Sequence, residues 1–166
     1  MEQPADLVIC NGTLVTASDT CAADLAITGE KITAIGSSLS GRQTLDARGL
    51  LVIPGGIDPH VHLQYAQGRH QVVSSDDWFT GTLAAACGGT TTVLDFVEAR
   101  PGQSWMQAFD QRLGQAETQA VIDYGFHMTF NRADPASLAE VPAVIEAGMS
   151  SFKIYMAYEG IRLNDA

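Results

Sequence analysis

The amino-acid sequence predicts an α/β fold, and three observations carry that expectation. Residues 1–50 are a series of short apolar runs separated by turn residues, the pattern of small β-strands. From Leu51 onward, apolar β-branched runs alternate with longer stretches of helical periodicity, as in βα units that build a parallel sheet with helical crossovers. The chain carries neither GxGxxG after a strand nor GxxxxGKS/T, so nothing marks that sheet as nucleotide-binding. Four βα units can begin an open doubly wound sheet or form the first half of a (β/α)8 TIM-type barrel.

In the first segment Leu7-Val8-Ile9-Cys10 leads into Asn11-Gly12, a hairpin signal, and Thr13-Leu14-Val15-Thr16 follows. Asp24-Leu25-Ala26-Ile27 and Lys31-Ile32-Thr33-Ala34-Ile35 flank the turn Thr28-Gly29-Glu30, and Thr44-Leu45-Asp46 adds a further strand. Strands this small make a thin β layer that needs a second sheet to cover it, so residues 1–50 read as part of a domain.

The second segment opens with a strand region from Leu51 to His62. Asp76-Asp77 start a helix that runs through residues 78–86 and is closed by Gly88-Gly89. Thr90-Thr91-Thr92-Val93-Leu94-Asp95-Phe96 is β-branched and apolar, a second buried strand. Residues 104–119, with Trp105, Phe109, Leu113 and Ala116 at three- and four-residue spacing, form an amphipathic helix. Residues 123–130 give a third strand, 135–147 a third helix and 150–157 a fourth strand. The last five residues read as the opening of another helix, with Asn164 or Asp165 as its N-cap. The 166 residues fall short of the ~250 of a typical barrel, so the expectation is an N-terminal piece of a longer protein.

A net charge of −10 argues against nucleic acid or an anionic membrane as partner. No apolar run approaches the ~20 residues of a membrane span, and the acidic N-terminus lacks the basic region of a signal peptide. The three cysteines, Cys10, Cys21 and Cys87, are odd in number, show no CxxC spacing and lie among apolar or small residues. A disulfide framework is not expected, and a reducing cytoplasm is.

His60-Val61-His62 ends the first apolar region and, in an extended chain, would project both imidazoles from one face. Two neutral imidazoles on one side can hold a divalent metal, which needs three or four protein ligands; the alternative is a pair of polar residues on a solvated strand. Asp58 can accept the second N–H of a ligand imidazole or bond nearby backbone amides. Lys153 lies inside the apolar run Phe152-Lys153-Ile154-Tyr155-Met156, where an unpaired cation is expensive to bury. Either it snorkels to water from a strand end, or its amine is neutral enough to add carbon dioxide. The resulting carbamate has two oxygens that can bridge two metal ions. His127 reads as a satisfied interior histidine and His70 as a residue of the surface or a pocket rim.

The run from Pro54 through His60-Val61-His62-Leu63-Gln64 resembles the first-strand motif of the cyclic amidohydrolases, in particular the dihydropyrimidinase/D-hydantoinase branch. Residues 76–82 with 85–92 resemble that branch's next helix and strand, Asp123-Tyr124-Gly125-Phe126-His127 its third strand, and residues 150–158 the segment bearing its carboxylated lysine. Gln64-Tyr65 fits hydantoinases better than dihydroorotases or allantoinases. The resemblance implies a (β/α)8 barrel beside a small β-sandwich built from both chain ends. Residues 1–50 would be the N-terminal part of the sandwich and residues 51–166 the first four βα units of the barrel.

It further implies two divalent metal ions, commonly zinc, with His60 and His62 as ligands and Lys153 bridging both through an N6-carboxyl group derived from carbon dioxide. The reaction implied is opening of a small cyclic amide, a hydantoin or dihydropyrimidine, by a metal-bridging hydroxide. Tyr158 would donate its hydroxyl to the substrate carbonyl oxygen as charge develops. Tyr65 and Tyr155 would either line the pocket or simply pack. A homotetramer or homodimer is implied. The family's later metal-binding histidines and catalytic aspartate would lie beyond residue 166, so the chain alone is expected to be inactive. Two readings compete. One is a non-catalytic dihydropyrimidinase-related assembly or interaction protein, and retention of His60, His62 and Lys153 counts against it. The other is a complete small α/β binding protein, which leaves the thin β layer uncovered.

Overall fold

A computed structural model of the chain describes residues 4–67, 72–158 and 162–163. Its residues divide into two units, Met1–Pro54 and Gly55–Ala166. The first unit contains β1 (Ala5–Cys10), β2 (Thr13–Val15), β3 (Thr20–Ala22), β4 (Asp24–Thr28), β5 (Lys31–Gly36), β6 (Gly41–Asp46) and β7 (Leu51–Val52). They form two small sheets, ordered β5-β4-β1-β6 and β3-β2-β7.

Asn11-Gly12 does not close a hairpin, because β1 and β2 belong to different sheets. Asn11 turns the chain in the left-handed region at φ 61°, and its side chain donates to Asp46 Oδ1 at 2.9 Å. A Cβ on Gly12 would lie 2.7 Å from Val52 Cγ2, so only glycine lets the chain pass that close. Thr28-Gly29-Glu30 does close a hairpin between β4 and β5, with Gly29 at φ 59°. Val8, Leu14, Leu25, Ala26 and Ala47 are the buried apolar residues of this unit.

Leu51 and Val52 pair with β2 and do not run on to His62 as one strand. The reason is Pro54, which has no N–H for a ladder. The second unit then begins its own sheet with β8 (Gly56–Asp58). There follow a two-stranded ribbon, β9 (Ala66–Gln67) with β10 (Val72–Val73), and then α1 (Trp78–Cys87), β11 (Thr90–Val97), α2 (Trp105–Glu117), β12 (Asp123–Thr129), α3 (Pro135–Glu146) and β13 (Phe152–Lys153).

The main sheet has the order β13-β12-β11-β8, and every pairing is parallel. Each new strand joins on the same side of the last. A doubly wound sheet reverses direction partway, whereas a barrel winds one way, so the arrangement is half of a (β/α)8 barrel. The fourth strand is only two residues long, shorter than the 150–157 expected from sequence; the chain leaves the sheet after Lys153.

Each helix begins where its sequence supplies a cap. Asp77 and Thr80 exchange side-chain bonds in a capping box at α1, and Ser104 with Gln107 do the same at α2. Asp134 accepts from the Ala136 and Ser137 amides at α3. Gly88 caps α1 at its other end, with Gly89 at φ 85° after it. The helices and strands enclose one cluster that includes Trp78, Val93, Val97, Trp105, Phe126, Met128 and Val144. Among the described residues no helix is long and apolar enough to cross a membrane. His70 and the helix opening at Asn164 and Asp165 lie outside the described residues.

Two outcomes are expected. Met128 is fully buried, so Met128→Ala should cost about 2–5 kcal/mol in a denaturant titration. The bonds from Thr80 hold the Asp77 carboxyl below the usual carboxylate range, and those from Ser137 do the same for Asp134. Their folded pKa values lie below the unfolded ones. The stability they contribute is therefore present above the ordinary Asp pKa of ~3.9 and is lost as pH falls through the folded values. The thermal midpoint should drop on acidification across that range. Asp77→Asn with Asp134→Asn should flatten the drop, because Asn caps a helix without titrating.

Candidate metal centre

Pro59 lacks an N–H, so the ladder of β8 ends at Asp58 and the two histidines follow in irregular chain. Val61 N–H still donates to Leu94 O at 3.1 Å, which keeps the segment alongside β11. Asp58 Oδ1 accepts the His60 backbone N–H at 3.1 Å, so its carboxylate serves the backbone.

The His60 and His62 ring centroids lie 5.2 Å apart at 70°. Both rings meet Phe96, His60 at 4.6 Å and His62 stacked on it at 4.9 Å. The His127 ring meets Phe96 at 5.1 Å, and Lys153 Nζ lies 5.6 Å from the same ring. Phe96 is therefore a shared floor for four nitrogen-bearing side chains from β11's neighbourhood. Lys153 Nζ also lies 5.2 Å from the Tyr155 ring, and the Lys153 side chain is half-buried.

His62 Nδ1 is buried without a hydrogen-bond partner among the described residues. Burial pushes the His62 pKa down, and the Asp95 carboxylate opposes that only in part. The imidazole is accordingly neutral near neutral pH, the form that binds a metal. An orphaned ring nitrogen, a neutral imidazole and a second imidazole beside it fit a borderline-soft divalent ion such as zinc. Among the described residues no three His, Cys, Asp or Glu side chains converge on one metal-sized point.

His127 is tied at both nitrogens. Its Nε2 lies 2.9 Å from Pro59 O, which can only accept, so Nε2 carries the proton and Nδ1 accepts from the Ser151 hydroxyl. This histidine fastens β12 to the chain just before His60 and offers no ligand. Tyr65 meets the His62 ring at 5.1 Å and donates its hydroxyl to Glu98 Oε2 at 2.7 Å. Burial, then Glu98, pushes the Tyr65 hydroxyl far up, and burial raises that of Tyr155, so both stay neutral. Tyr158 lies outside this cluster: it is 68% exposed, sits at φ 70°, meets the Tyr155 ring at 5.9 Å and accepts the Arg162 N–H at its carbonyl at 3.1 Å.

Spacing alone does not single out two further residues beside the histidines. Asp95, fully buried, pairs with Arg112 at 2.7 Å, and both bond the backbone of Leu63, the residue after His62. A lone acidic residue inside the apolar run of β11 was the available signal for Asp95. Nothing in the amphipathic pattern of α2 marks Arg112.

Residues 51–158 match the amidohydrolase family model. The chain is 46% identical to a D-hydantoinase from Geobacillus stearothermophilus over 157 residues, which is 93% of this chain and 33% of that protein. The solved D-hydantoinase from Bacillus sp. AR9 superposes with a TM-score of 0.91 at 44% identity, covering 96% of this chain and 35% of that one. The dihydropyrimidinase from Brevibacillus agri gives a TM-score of 0.90 at 45% identity, covering 95% and 35%. The chain thus spans about a third of the length of these relatives. Half-barrel, paired imidazoles and family match agree: the chain belongs to the amidohydrolase family, among relatives of the hydantoinase and dihydropyrimidinase branch.

Proposed function

We propose that this chain contributes the first metal ligands of a cyclic amidohydrolase that opens hydantoin or dihydropyrimidine rings. The observation that carries the reading is the arrangement of His60, His62 and Lys153 around the Phe96 ring. The names of the similar proteins, hydantoinases and a dihydropyrimidinase, support the substrate class.

His60 and His62 would hold a divalent metal, with zinc the best match to the donor set, and Lys153 would join two such ions. For that role the Lys153 amine adds carbon dioxide: an N–C bond forms at Nζ, the amine proton leaves to solvent, and an anionic carbamate results. The ions, when bound, supply Lewis acidity toward the ring carbonyl and acidify water. Tyr158 would donate its hydroxyl to the carbonyl oxygen as negative charge builds there. Its exposure, five residues past β13 and edge-on to Tyr155, supports that reading. The neutral rings of Tyr65 and Tyr155 offer an uncharged wall for a ring substituent.

The chain alone would be inactive. Among the described residues strands β8 and β13 each have one neighbour in the parallel sheet, leaving two open edges that a closed barrel would not have. Ile57 and Ile154 beside those edges are more than half exposed, as are Ile32, Ile35 and Leu45 in the first unit. We assign the protein to a reducing cytoplasm, on three free cysteines, and to a homotetramer or homodimer.

Ring opening of hydantoin and dihydrouracil should be measurable with the full-length protein, absent from the 166-residue chain, lost on chelation and restored by zinc. His62→Ala should lower bound metal and reduce turnover to background. A full-length protein that binds no metal and opens neither ring would favour the assembly-protein reading. For Lys153, intact mass without acid treatment should show one added carbon dioxide, and Lys153→Ala should remove it.

A further inference from the structure

We infer that the buried Asp95–Arg112 ion pair is a positioning device for His62, setting the direction in which its imidazole meets a metal. The inference rests on the metal-centre reading above.

The pair grips one residue at both of its backbone polar groups. Leu63 N–H donates to Asp95 Oδ2 at 2.9 Å, Leu63 C=O accepts from Arg112 Nη2, and the same Oδ2 and Nη2 meet at 2.7 Å. The Leu63 N–H belongs to the peptide that joins it to His62, so holding it fixes the ψ angle of His62. The Leu63 side chain is buried as well, and fits against α1 only because Gly81 has no Cβ; an added one would collide with it. The next residue, Gln64, sits at φ 45°, a conformation that a non-glycine residue keeps only where its surroundings hold it. Its N–H donates to Asp76 O at 2.7 Å, one residue before the cap of α1.

Arg112 is held on its other side, with its guanidinium carbon 5.0 Å from the centroid of the buried Trp78 ring. Asp95 is held too, because its Oδ1 accepts the N–H of Phe96. One carboxylate therefore governs both the residue after His62 and the ring on which His62 stacks.

This matters because, among the described residues, no hydrogen bond at either ring nitrogen aims the His62 imidazole, its Nδ1 being buried without a partner. A ligating imidazole is usually aimed by a carboxylate or carbonyl on its other nitrogen. Here the aim comes from the backbone at Leu63 and from packing against Phe96 and Tyr65. Asp95 is fully buried and the Arg112 side chain is 11% exposed. A pair this dry is a poor source of net stability, because desolvation offsets its attraction. It provides short, directional, charge-assisted bonds instead.

The test uses the full-length protein loaded with cobalt(II) alone, which reports ligand geometry through its visible absorption. Asp95→Asn keeps an acceptor for Leu63 but removes the charge that holds Arg112. It should weaken cobalt affinity by about 10- to 100-fold and shift the absorption bands. Arg112→Lys keeps the charge without the planar fork, should show the same changes more weakly, and serves if Asp95→Asn does not fold. Val144→Ala, buried elsewhere in the core, is the control: it should lower the thermal midpoint and leave cobalt affinity and spectrum unchanged. The inference is overturned if the folded Asp95 and Arg112 variants lose thermal stability alone and keep the wild-type cobalt affinity and spectrum. A wild-type protein that binds no cobalt overturns the metal-centre reading itself, and the inference with it.

Discussion

The position of one aromatic ring, Phe96, governs the chemistry-bearing end of this fold. Parallel pairing puts Phe96 opposite His127 on β12, and Thr129 of β12 opposite Lys153 on β13. Strands added in one direction bring their carboxyl ends to one side, so side chains far apart in sequence converge there. Phe96 fills the space between them, with His60, His62, His127 and Lys153 around it. A ring in that place does two things. It removes water from one side of His62, which favours the neutral imidazole, and it packs against His60, His62 and Lys153 without offering a polar atom that would occupy their nitrogens.

Much of this was readable from the residues, and the parts that were not have a common cause. Helix starts were readable because caps are local: Asp77, Ser104 and Asp134 each act on an amide two or three residues away. The βα rhythm was readable for the same reason. The Asn11-Gly12 corner carries a hairpin signal yet changes sheet, since a left-handed Asn before Gly suits either. What decides is the partner 35 residues on, Asp46, which takes the Asn11 side chain. Strand ends were misjudged where prolines interrupt an apolar run, at Pro54 and Pro59, and where β13 loses its neighbour after Lys153. Although neither histidine lies in a regular strand, the Leu94 carbonyl bonds the Val61 N–H and both rings rest on Phe96, so their centroids stay 5.2 Å apart.

Two tyrosines show how far burial alone can separate equal chemistries. Tyr65 is neutral and committed, its hydroxyl spent on Glu98; Tyr158 is exposed, with no side-chain hydrogen bond among the described residues, in a backbone conformation unusual for a side chain of its size. The wall and the donor proposed for them would need those opposite conditions, and spacing in the sequence cannot distinguish them.

The same logic separates the two charges that interrupt apolar strands. Asp95 in β11 and Lys153 in β13 each break the local preference for uncharged residues, and such breaks tend to mark function. Asp95 finds a guanidinium and two backbone amides, so its charge is fully answered inside the fold. Lys153 finds no carboxylate among the described residues, only the faces of Phe96 and Tyr155. Ring faces are worth about 0.5–2 kcal/mol to a cation, less than the cost of taking an ammonium out of water. On the proposed reading, a half-buried lysine in that setting would exchange its charge for one that a metal can answer. On the proposed metal-centre reading, the clamp beside His62 and the unanswered lysine would be complementary halves of one arrangement: the first would hold a ligand in place, and the second would leave a ligand to be made.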